Sequence, residues 1–127
     1  MTQKKILAVD DANTVLMMEQ LILREAGYAV VTARDGEEAI TKAREERPDL
    51  IVMDVVMPKL DGFQACRRIR DEHPALPIIM MTTKGTPVNR AAGQDAGCSA
   101  YLTKPIDRPA FLAQIATLLG DGAADGQ

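Results

Sequence analysis

Residues 50–62 read LIVMDVVMPKLDG, a stretch that puts a carboxylate inside an apolar run. The four residues before Asp54 are continuously aliphatic, as in a strand that is covered on both faces of a sheet. Burying the charge of Asp54 without a partner would be costly, so an acid at this point predicts a site at the end of the strand. Asp61 is expected to cap the helix that follows, with Gly62 at a close-packing position.

The composition is that of one ordinary globular domain. A chain of 127 residues can bury a core without disulfides or structural metal. The 15 basic and 18 acidic residues give a net charge of -3, which argues against a nucleic-acid or anionic-membrane surface. No apolar stretch is long enough for a signal peptide or a membrane span, so we expect a cytoplasmic protein without membrane insertion. Cys66 and Cys98 are predicted to be reduced thiols, and His73 to be a surface loop residue.

Five aliphatic runs alternate with segments of helical spacing. Because the runs are continuous rather than alternating, they predict strands that are buried on both faces. Five strand-helix units joined by right-handed crossovers form an α/β fold, a doubly wound parallel sheet with helices on both faces. The predicted strands are residues 4–9, 28–33, 49–53, 76–82 and 99–103.

Two helices and the chain end carry further predictions. In the first helix, Val15, Met18, Ile22 and Ala26 are expected to form the buried face. The fourth helix, residues 87–96, contains Gly93, which costs roughly 0.5 to 1 kcal/mol relative to Ala, so we expect it to be the most mobile regular element. Residues 121–127 have no apolar period and are predicted to be a disordered tail after a domain of residues 1–120.

Side chains capable of chemistry follow four of the five predicted strands. Asp10 and Asp11 come after the first, Asp54 after the third, Thr82 ends the fourth, and Lys104 follows the fifth. Carboxyl ends of parallel strands lie at one edge of a sheet, so these groups are expected to converge. Singly, each has an ordinary explanation, such as capping of the first helix by Asp10 or Asp11. Together they predict one site of three acids and one base.

Three neighbouring carboxylates repel one another unless a cation binds them or Lys104 pairs with them. Mg²⁺ suits oxygen ligands and retains waters or phosphate oxygens, whereas a site without His or Cys argues against zinc. After the first strand, a nucleotide-binding loop would carry glycines with free backbone N–H groups, whereas this chain has Asp10 and Asp11 there. Because these two acids would repel a bound phosphate, phosphate is expected to arrive as a transferred group. Asp54 is then the candidate nucleophile, and the metal, Lys104 and the Thr82 hydroxyl would neutralise the phosphoryl charge.

Four motifs in this order resemble the response regulator receiver domain: DD at residues 10–11, MDVVMPKLDG at 53–62, TT at 82–83 and YLTKP at 101–105. The resemblance spans about residues 4–119 and looks most like single-domain, CheY-like receivers of chemotaxis, twitching and gliding systems. It implies a flavodoxin-like, CheY-like fold, whose five-stranded parallel sheet has the order 2-1-3-4-5.

The resemblance also implies a role for each residue of the site. Asp54 would be the phosphoacceptor, and Lys104 would pair with the phosphoryl group. Mg²⁺, with Mn²⁺ as a substitute, would be bound by Asp11, Asp54 and the backbone carbonyl of Val56, while Asp10 would act mainly through water.

The switch implied by the resemblance consists of Thr82 and Tyr101. Phosphorylation would draw the Thr82 hydroxyl towards the phosphoryl group, and Tyr101 would turn inward. The surface of the fourth helix, fifth strand and fifth helix would then change its affinity for a protein partner. In relatives the bond between Lys104 and Pro105 is often cis.

By this resemblance the chain would be a stand-alone, monomeric response regulator of a two-component or chemosensory phosphorelay. It would accept phosphate from a sensor histidine kinase, CheA-like or other, and control a protein partner or act as a phosphate sink. It would assist its own phosphorylation and dephosphorylation without being an enzyme.

Three other functions fit parts of the pattern. A phosphatase of the haloacid-dehalogenase type uses an Asp nucleophile with Mg²⁺, but it requires a second Asp where this chain has Val56. A flavodoxin-like flavin binder shares the topology, yet the acidic first loop and the absence of Trp argue against it. A receiver-like interaction module that works without phosphorylation remains the closest alternative.

Overall fold

The computed structural model describes residues 3–120, over which strand and helix alternate five times, as predicted. The predicted tail, residues 121–127, lies outside the described residues. The elements are β1 (Lys5–Val9), α1 (Asn13–Glu25), β2 (Ala29–Ala33), α2 (Gly36–Glu46), β3 (Leu50–Met53), α3 (Gly62–Glu72), β4 (Ile78–Thr82), α4 (Pro87–Ala96), β5 (Ala100–Thr103) and α5 (Arg108–Leu119).

The five strands form one parallel sheet of order β2-β1-β3-β4-β5, which confirms the predicted topology. Val9 at the end of β1 is level with Ala33 of β2 and Met53 of β3. Thr82 at the end of β4 is level with Thr103 of β5. The residues that follow β1, β3 and β5 therefore emerge at one edge of the sheet.

Helices cover both faces of the sheet, and this explains the continuous apolar runs. Along β1, Ile6 packs on one face with Phe111 and Ile115 of α5, and with Leu23 of α1. Leu7, the next residue, packs on the opposite face with side chains of α2 and α3. Successive strand residues point to opposite faces, so every position of β3 and β4, and of β1 except Lys5, is a core position.

Four of the five helices begin with a side-chain cap. Asp35, Asp61, Thr86 and Asp107 each accept a hydrogen bond from the backbone N–H three residues further on. The predicted cap at Asp61 is confirmed and forms a full capping box with Gln64. The first helix differs, because its cap position is Ala12 and no side chain caps it.

Gly62 is a position where only glycine fits, as predicted. A Cβ atom there would lie 2.2 Å from the backbone oxygen of Asp54 and 2.8 Å from the Cα of Val55. The Gly62 N–H donates to the Val55 carbonyl over 2.8 Å. The start of α3 is thereby pressed against the loop that carries Asp54.

The predicted buried face of α1 was right for Ile22 and wrong for Met18 and Ala26. The buried residues are Leu16, Glu19, Ile22 and Leu23, whereas Met18 is 52% exposed and Ala26 lies beyond the helix. Two runs of consecutive apolar residues, 15–18 and 21–23, lie in this helix, so its apolar spacing allows more than one face.

The turn that follows α3 contains His73 and is held by Arg70. His73 is the residue that follows α3, so it lies in the predicted loop, although its side chain is half-buried rather than fully at the surface. Arg70 donates to the carbonyls of His73 and Pro74 and thereby holds this turn against the helix.

Among residues 3–120, no helix is long and apolar enough to cross a membrane.

Candidate functional site

Three acids meet at the sheet edge, as predicted. Asp10, Asp11 and Asp54 each offer a carboxylate oxygen, and these oxygens lie within 4.8 Å of one another. Backbone bonds continue the sheet by one residue: the Asp10 N–H donates to the Ala33 carbonyl and the Asp54 N–H donates to the Val9 carbonyl. The sheet itself therefore sets the spacing of Asp10 and Asp54.

Backbone N–H groups orient two of these carboxylates. Asp10 Oδ1 accepts a 2.9 Å bond from the N–H of Ala12, and Asp54 Oδ1 accepts a 2.7 Å bond from the N–H of Val55. Neither acid caps α1, so the ordinary explanation for Asp10 does not apply. The Oδ2 atom of each is left for other partners.

Lys104 joins Asp10 to Asp54. Its Nζ donates to Asp10 Oδ2 over 2.7 Å and to Asp54 Oδ2 over 3.3 Å. Burial alone would lower the pKa of Lys104, but the hydrogen bond to Asp10 and the charges of Asp54 and Asp10 outweigh burial and raise it. The Lys104-Pro105 peptide is cis, and the Lys104 N–H donates to the Thr82 carbonyl. We refer to Asp10, Asp11, Asp54 and Lys104 as the acidic pocket.

The acidic pocket fits a hard divalent cation. Its donor atoms are all carboxylate oxygens, the ligand class that Mg²⁺ takes in proteins. Asp11 is exposed, while Asp10 and Asp54 are buried, so one side of the cluster remains open to solvent. Val56, whose carbonyl is a predicted ligand, follows Asp54 by two residues and has a side chain that is 51% exposed.

The two predicted switch residues meet at Lys84 rather than at Asp54. Thr82 is fully buried, and its hydroxyl oxygen accepts a 3.2 Å bond from the Lys84 N–H. The hydroxyl of Tyr101 donates to the Lys84 carbonyl. The backbone of Lys84 thus connects the two side chains.

Tyr101 is held against α4 by two residues that the sequence did not single out for this role. The Arg90 guanidinium lies over the ring, 5.3 Å from its centroid, and donates to the Tyr101 and Gly85 carbonyls. A Cβ at Gly93 would lie 2.8 Å from the ring, so the glycine makes room for Tyr101. We refer to residues 82–93 together with Tyr101 as the switch segment.

Sequence reasoning also missed Glu19. It is 1% exposed, and burial, followed by the charge of Asp10, raises its pKa to about 8, while the charge of Lys104 opposes the shift. A lone acid in the apolar run VLMMEQLIL was a signal in the sequence. The face predicted for α1 did not include Glu19, so its burial was not expected.

Over residues 6–116 the chain matches the family described as the response regulator receiver domain. Among curated proteins it is similar to PhoP, the alkaline phosphatase synthesis transcriptional regulatory protein of Bacillus subtilis. The identity is 42% over 116 residues, which is 91% of this chain and 48% of PhoP. The chain therefore spans about half the length of the curated relatives it matches.

Solved structures share the fold. The Vibrio cholerae chemotaxis protein CheY4 has a TM-score of 0.87 at 35% identity, covering 92% of this chain and 99% of that one. The receiver domain of the sensor histidine kinase PA1611 from Pseudomonas aeruginosa has a magnesium ion coordinated in its active site cleft. Its TM-score is 0.87 at 32% identity, covering 94% of this chain and 99% of that one. A transcriptional regulator, a chemotaxis protein and a kinase thus have similar domains, so the likeness does not select an output.

Proposed function

The chain belongs to the response regulator receiver domain family, and on that premise we propose that Asp54 accepts a phosphoryl group from a sensor histidine kinase. Receiver domains of two-component systems are signalling switches and are not, in general, enzymes. The proposed receiver comprises residues 1–120. Its phosphorylation would change the surface formed by α4, β5 and α5, and with it the affinity for a protein partner.

The observation that carries this proposal is the bridge made by Lys104 between Asp10 and Asp54. A lysine that contacts two buried acids at distances of 2.7 and 3.3 Å gives the pocket one positive charge among several negative ones. The remaining negative charge favours a bound divalent cation. An arrangement of this kind can neutralise a phosphoryl group where an uncompensated acid cluster would repel it.

Asp11, Asp54 and the Val56 carbonyl are the proposed metal ligands, with Asp10 acting through water. When bound, Mg²⁺ supplies positive charge for the phosphoryl oxygens, and Mn²⁺ could replace it. The PA1611 receiver, whose cleft holds magnesium, supports this choice of ion. The carboxylate oxygens within 4.8 Å of one another support it independently.

The proposed transfer needs little from the protein except position and charge. One Asp54 oxygen attacks the phosphorus atom of the phosphohistidine on the kinase. The new O–P bond forms as the P–N bond breaks, and the imidazole keeps the electron pair and takes up a proton. Lys104 keeps one ammonium hydrogen directed at Asp54 and can follow the phosphoryl oxygens with a small movement.

Lys84 offers a route from the phosphoryl group to the partner surface. If the Thr82 hydroxyl turns to the phosphoryl group, it releases the Lys84 N–H, and the carbonyl of the same residue holds Tyr101. Movement of this peptide would therefore alter the position of Tyr101 on α4. Population shift between the two arrangements is the proposed form of the switch.

The remaining parts of the proposal concern the setting of the domain. A stand-alone monomer in the cytoplasm, a CheA-like kinase and a partner in a motor or pilus machine stay predictions. A role as a phosphate sink is the other predicted output. Phosphotransfer profiling against candidate kinases, with and without each candidate partner, would separate these outcomes.

Intact mass measurement tests the central proposal. The protein is incubated with Mg²⁺ and acetyl phosphate, which replaces the kinase as phosphoryl donor and releases acetate. We expect a phosphate-sized mass gain in the wild type and none in Asp54→Asn. Chelation of the metal should abolish the gain as well.

Asp71→Asn provides the matched control, because Asp71 is an exposed acid at the end of α3 and undergoes the same substitution. It should gain phosphate as the wild type does. A wild type that gains nothing would favour the interaction module that works without phosphorylation. An equal gain in Asp54→Asn would place the phosphoryl group on another residue.

A further inference from the structure

The loop between β3 and α3 contains a strained turn. The Leu60 N–H donates to the Pro58 carbonyl over 2.8 Å, which closes a γ-turn centred on Lys59. The φ angle of Lys59 is 68°, in the left-handed region that favours glycine. A lysine keeps such a backbone conformation only where the surrounding structure imposes it. Contacts outside the turn therefore hold it in place.

The N-terminus of α2 lies directly against this turn. A Cβ atom at Gly36, the first residue of α2, would lie 2.2 Å from the backbone oxygen of Leu60 and 2.9 Å from its carbonyl carbon. Gly36 is buried, so the two backbones meet without room for a side chain between them. Alanine normally suits a helix better than glycine, so helix formation does not explain this glycine. The contact with Leu60 does.

Asp35, the residue before Gly36, contacts both the helix and the turn. Its Oδ1 accepts the 2.8 Å capping bond from the Glu38 N–H, and its Oδ2 lies 3.7 Å from Lys59 Nζ. The Lys59 side chain is 62% exposed, so this ion pair adds little to stability. The turn thus faces two consecutive residues of α2, of which Gly36 makes the closer contact.

The same loop carries the carbonyl that is proposed as a metal ligand. Val55, Met57 and Leu60 are buried in the core cluster that includes side chains of α2, whereas Val56 is 51% exposed. The Gly62 N–H donates to the Val55 carbonyl over 2.8 Å. The loop is therefore closed between Val55 and Gly62, so a displacement of Leu60 moves the residues between them.

We propose that Gly36 is a positioning residue of the metal site, which holds Leu60 and through it sets the place of the Val56 carbonyl. A metal ligand must lie within about 0.5 Å of its productive position. Because a Cβ atom does not approach another heavy atom closer than about 3.0 Å, a side chain at position 36 would displace Leu60 by roughly 0.8 Å. This inference deepens the proposed function and rests on a divalent cation at the acidic pocket.

Displacement of the loop should act mainly on metal binding. Backbone bonds of the sheet set the positions of Asp10 and Asp54, and Lys104 pairs with both acids. Gly36→Ala should therefore raise the half-saturating Mg²⁺ concentration for phosphorylation and lower the limiting rate much less. A loss of stability alone would not separate these two quantities.

A Mg²⁺ titration followed by NMR measures metal affinity without phosphorylation. The amide signals of Val55 and Gly62 report on the loop and on Asp54, whose Oδ1 accepts from the Val55 N–H. In Gly36→Ala we expect the Mg²⁺ dissociation constant to rise about tenfold. The half-saturating Mg²⁺ concentration for phosphorylation by acetyl phosphate should rise by a similar factor.

Gly27→Ala is the matched control. Gly27 has a φ angle of 98°, so alanine is strained there, but no heavy atom of the described residues lies within 4 Å of the added Cβ. It precedes β2, whose first residue is level with the start of β1, at the sheet edge away from the acidic pocket. This variant should lose stability and keep the wild-type Mg²⁺ affinity.

Leu60→Ala keeps the test decisive if Gly36→Ala does not fold. It loosens the same loop from within the core and adds no atom. Leu23→Ala is its control, because it removes a buried leucine from the core cluster on the opposite face of the sheet. We expect the Mg²⁺ dissociation constant to rise about threefold or more in Leu60→Ala and to stay at the wild-type value in Leu23→Ala. Thermal unfolding of each variant checks its fold.

Each outcome has a separate meaning. If the wild type binds Mg²⁺ and the Gly36 and Leu60 variants share its dissociation constant, the inference is wrong and the proposed function stands. An equal loss of affinity in the two control variants would also overturn the inference, because the effect would then follow stability. If the wild type binds no Mg²⁺, the proposed metal site fails, and the inference fails with it.

Discussion

The acidic pocket and the switch segment lie at the same end of the sheet but are held by contacts of different kinds. In the pocket, the side chains of Asp10, Asp54 and Lys104 are 2%, 10% and 16% exposed, and charged hydrogen bonds join them. In the switch segment, Arg90 contacts Tyr101 in exposed surroundings, and the side-chain bonds of both residues end on backbone carbonyls. The first region is held by buried charge, whereas Tyr101 in the second is held by exposed contacts.

This difference matches the tasks proposed for the two regions. Buried charges interact strongly and lose much when one partner is removed, so the pocket remains in one arrangement. Exposed contacts contribute little each and can be exchanged at small cost, as a surface that changes its partner affinity requires. Changes in the pocket should therefore have larger effects on stability than changes in the switch segment.

The largest effect is expected from Glu19→Gln, measured as a function of pH without metal. The Glu19 pKa is about 8 in the folded protein and near 4.5 when the chain is unfolded. Between these values only the folded state keeps the proton, so the contribution of Glu19 to the wild-type free energy of unfolding falls as pH rises through this window and is constant on either side of it. The loss amounts to about 5 kcal/mol at most.

Glu19→Gln does not titrate, so it should lack this part of the pH dependence. Urea denaturation at about pH 5 and about pH 8 measures the free energy of unfolding of the variant and of the wild type. The difference between them should grow in favour of the variant from the lower pH to the higher. Glu25→Gln should follow the wild-type curve, because its side chain is half exposed. Parallel curves for Glu19→Gln and the wild type would contradict the burial of an ionisable group in the pocket region.

Lys104→Met is expected to have the next largest effect. It leaves Asp10 and Asp54 without their cation, so we expect the free energy of unfolding at neutral pH to fall by about 2 to 4 kcal/mol. Addition of Mg²⁺ should restore part of the loss, because the metal supplies the missing positive charge. The phosphorylation rate should fall by about 100-fold.

Lys59→Met is the control for Lys104→Met. Lys59 pairs with Asp35 over 3.7 Å and is 62% exposed, so its removal should cost about 0.5 kcal/mol or less. Equal losses in the two lysine variants would remove the distinction between the pocket and the protein surface.

Gly93→Ala should have the smallest effect of the three and act in the switch segment. Alanine normally stabilises a helix interior by about 1 kcal/mol relative to glycine. Here the added Cβ would lie 2.8 Å from the Tyr101 ring and 3.2 Å from the Cys98 sulfur. The ring must shift and loses its contacts with Arg90 and Lys84, so we expect a net loss of about 1 kcal/mol.

A second substitution shows whether Tyr101 causes this loss. In a Tyr101→Ala background, Gly93→Ala should be less destabilising or even stabilising, which chemical denaturation of the four proteins in the cycle would measure. If Gly93→Ala lowers the free energy of unfolding equally with and without the Tyr101 ring, the ring does not explain why position 93 is glycine. The switch segment would then lack the proposed contact between α4 and β5.

Much of the fold could be predicted from the sequence because strong local signals agree with one another. The continuous apolar runs predicted buried strands, and Asp61 begins the third helix as the predicted cap. The first helix was the exception. Its apolar residues occupy too many positions for one face to be chosen, so the buried position of Glu19 was not foreseen.

The candidate site likewise has a part that the sequence predicted and a part that it did not. Asp10, Asp11, Asp54 and Lys104 could be placed together from the sequence because each follows a parallel strand, and such strands end at one edge. The contacts of the switch segment could not be predicted from the sequence. They depend on where α4 lies against β5, and no local pattern in the sequence encodes that distance.

The sequence by itself determined the order of elements, the acids and lysine at the sheet edge, and the family to which the chain belongs. Periodicity and strand-end position are local properties, so they can be read without coordinates. Only the tertiary structure decided that Glu19 is buried, that Lys104 is nearer to Asp10 than to Asp54, and that Lys84 connects Thr82 to Tyr101. These relations join residues far apart in the chain, and packing alone brings them within interaction distance.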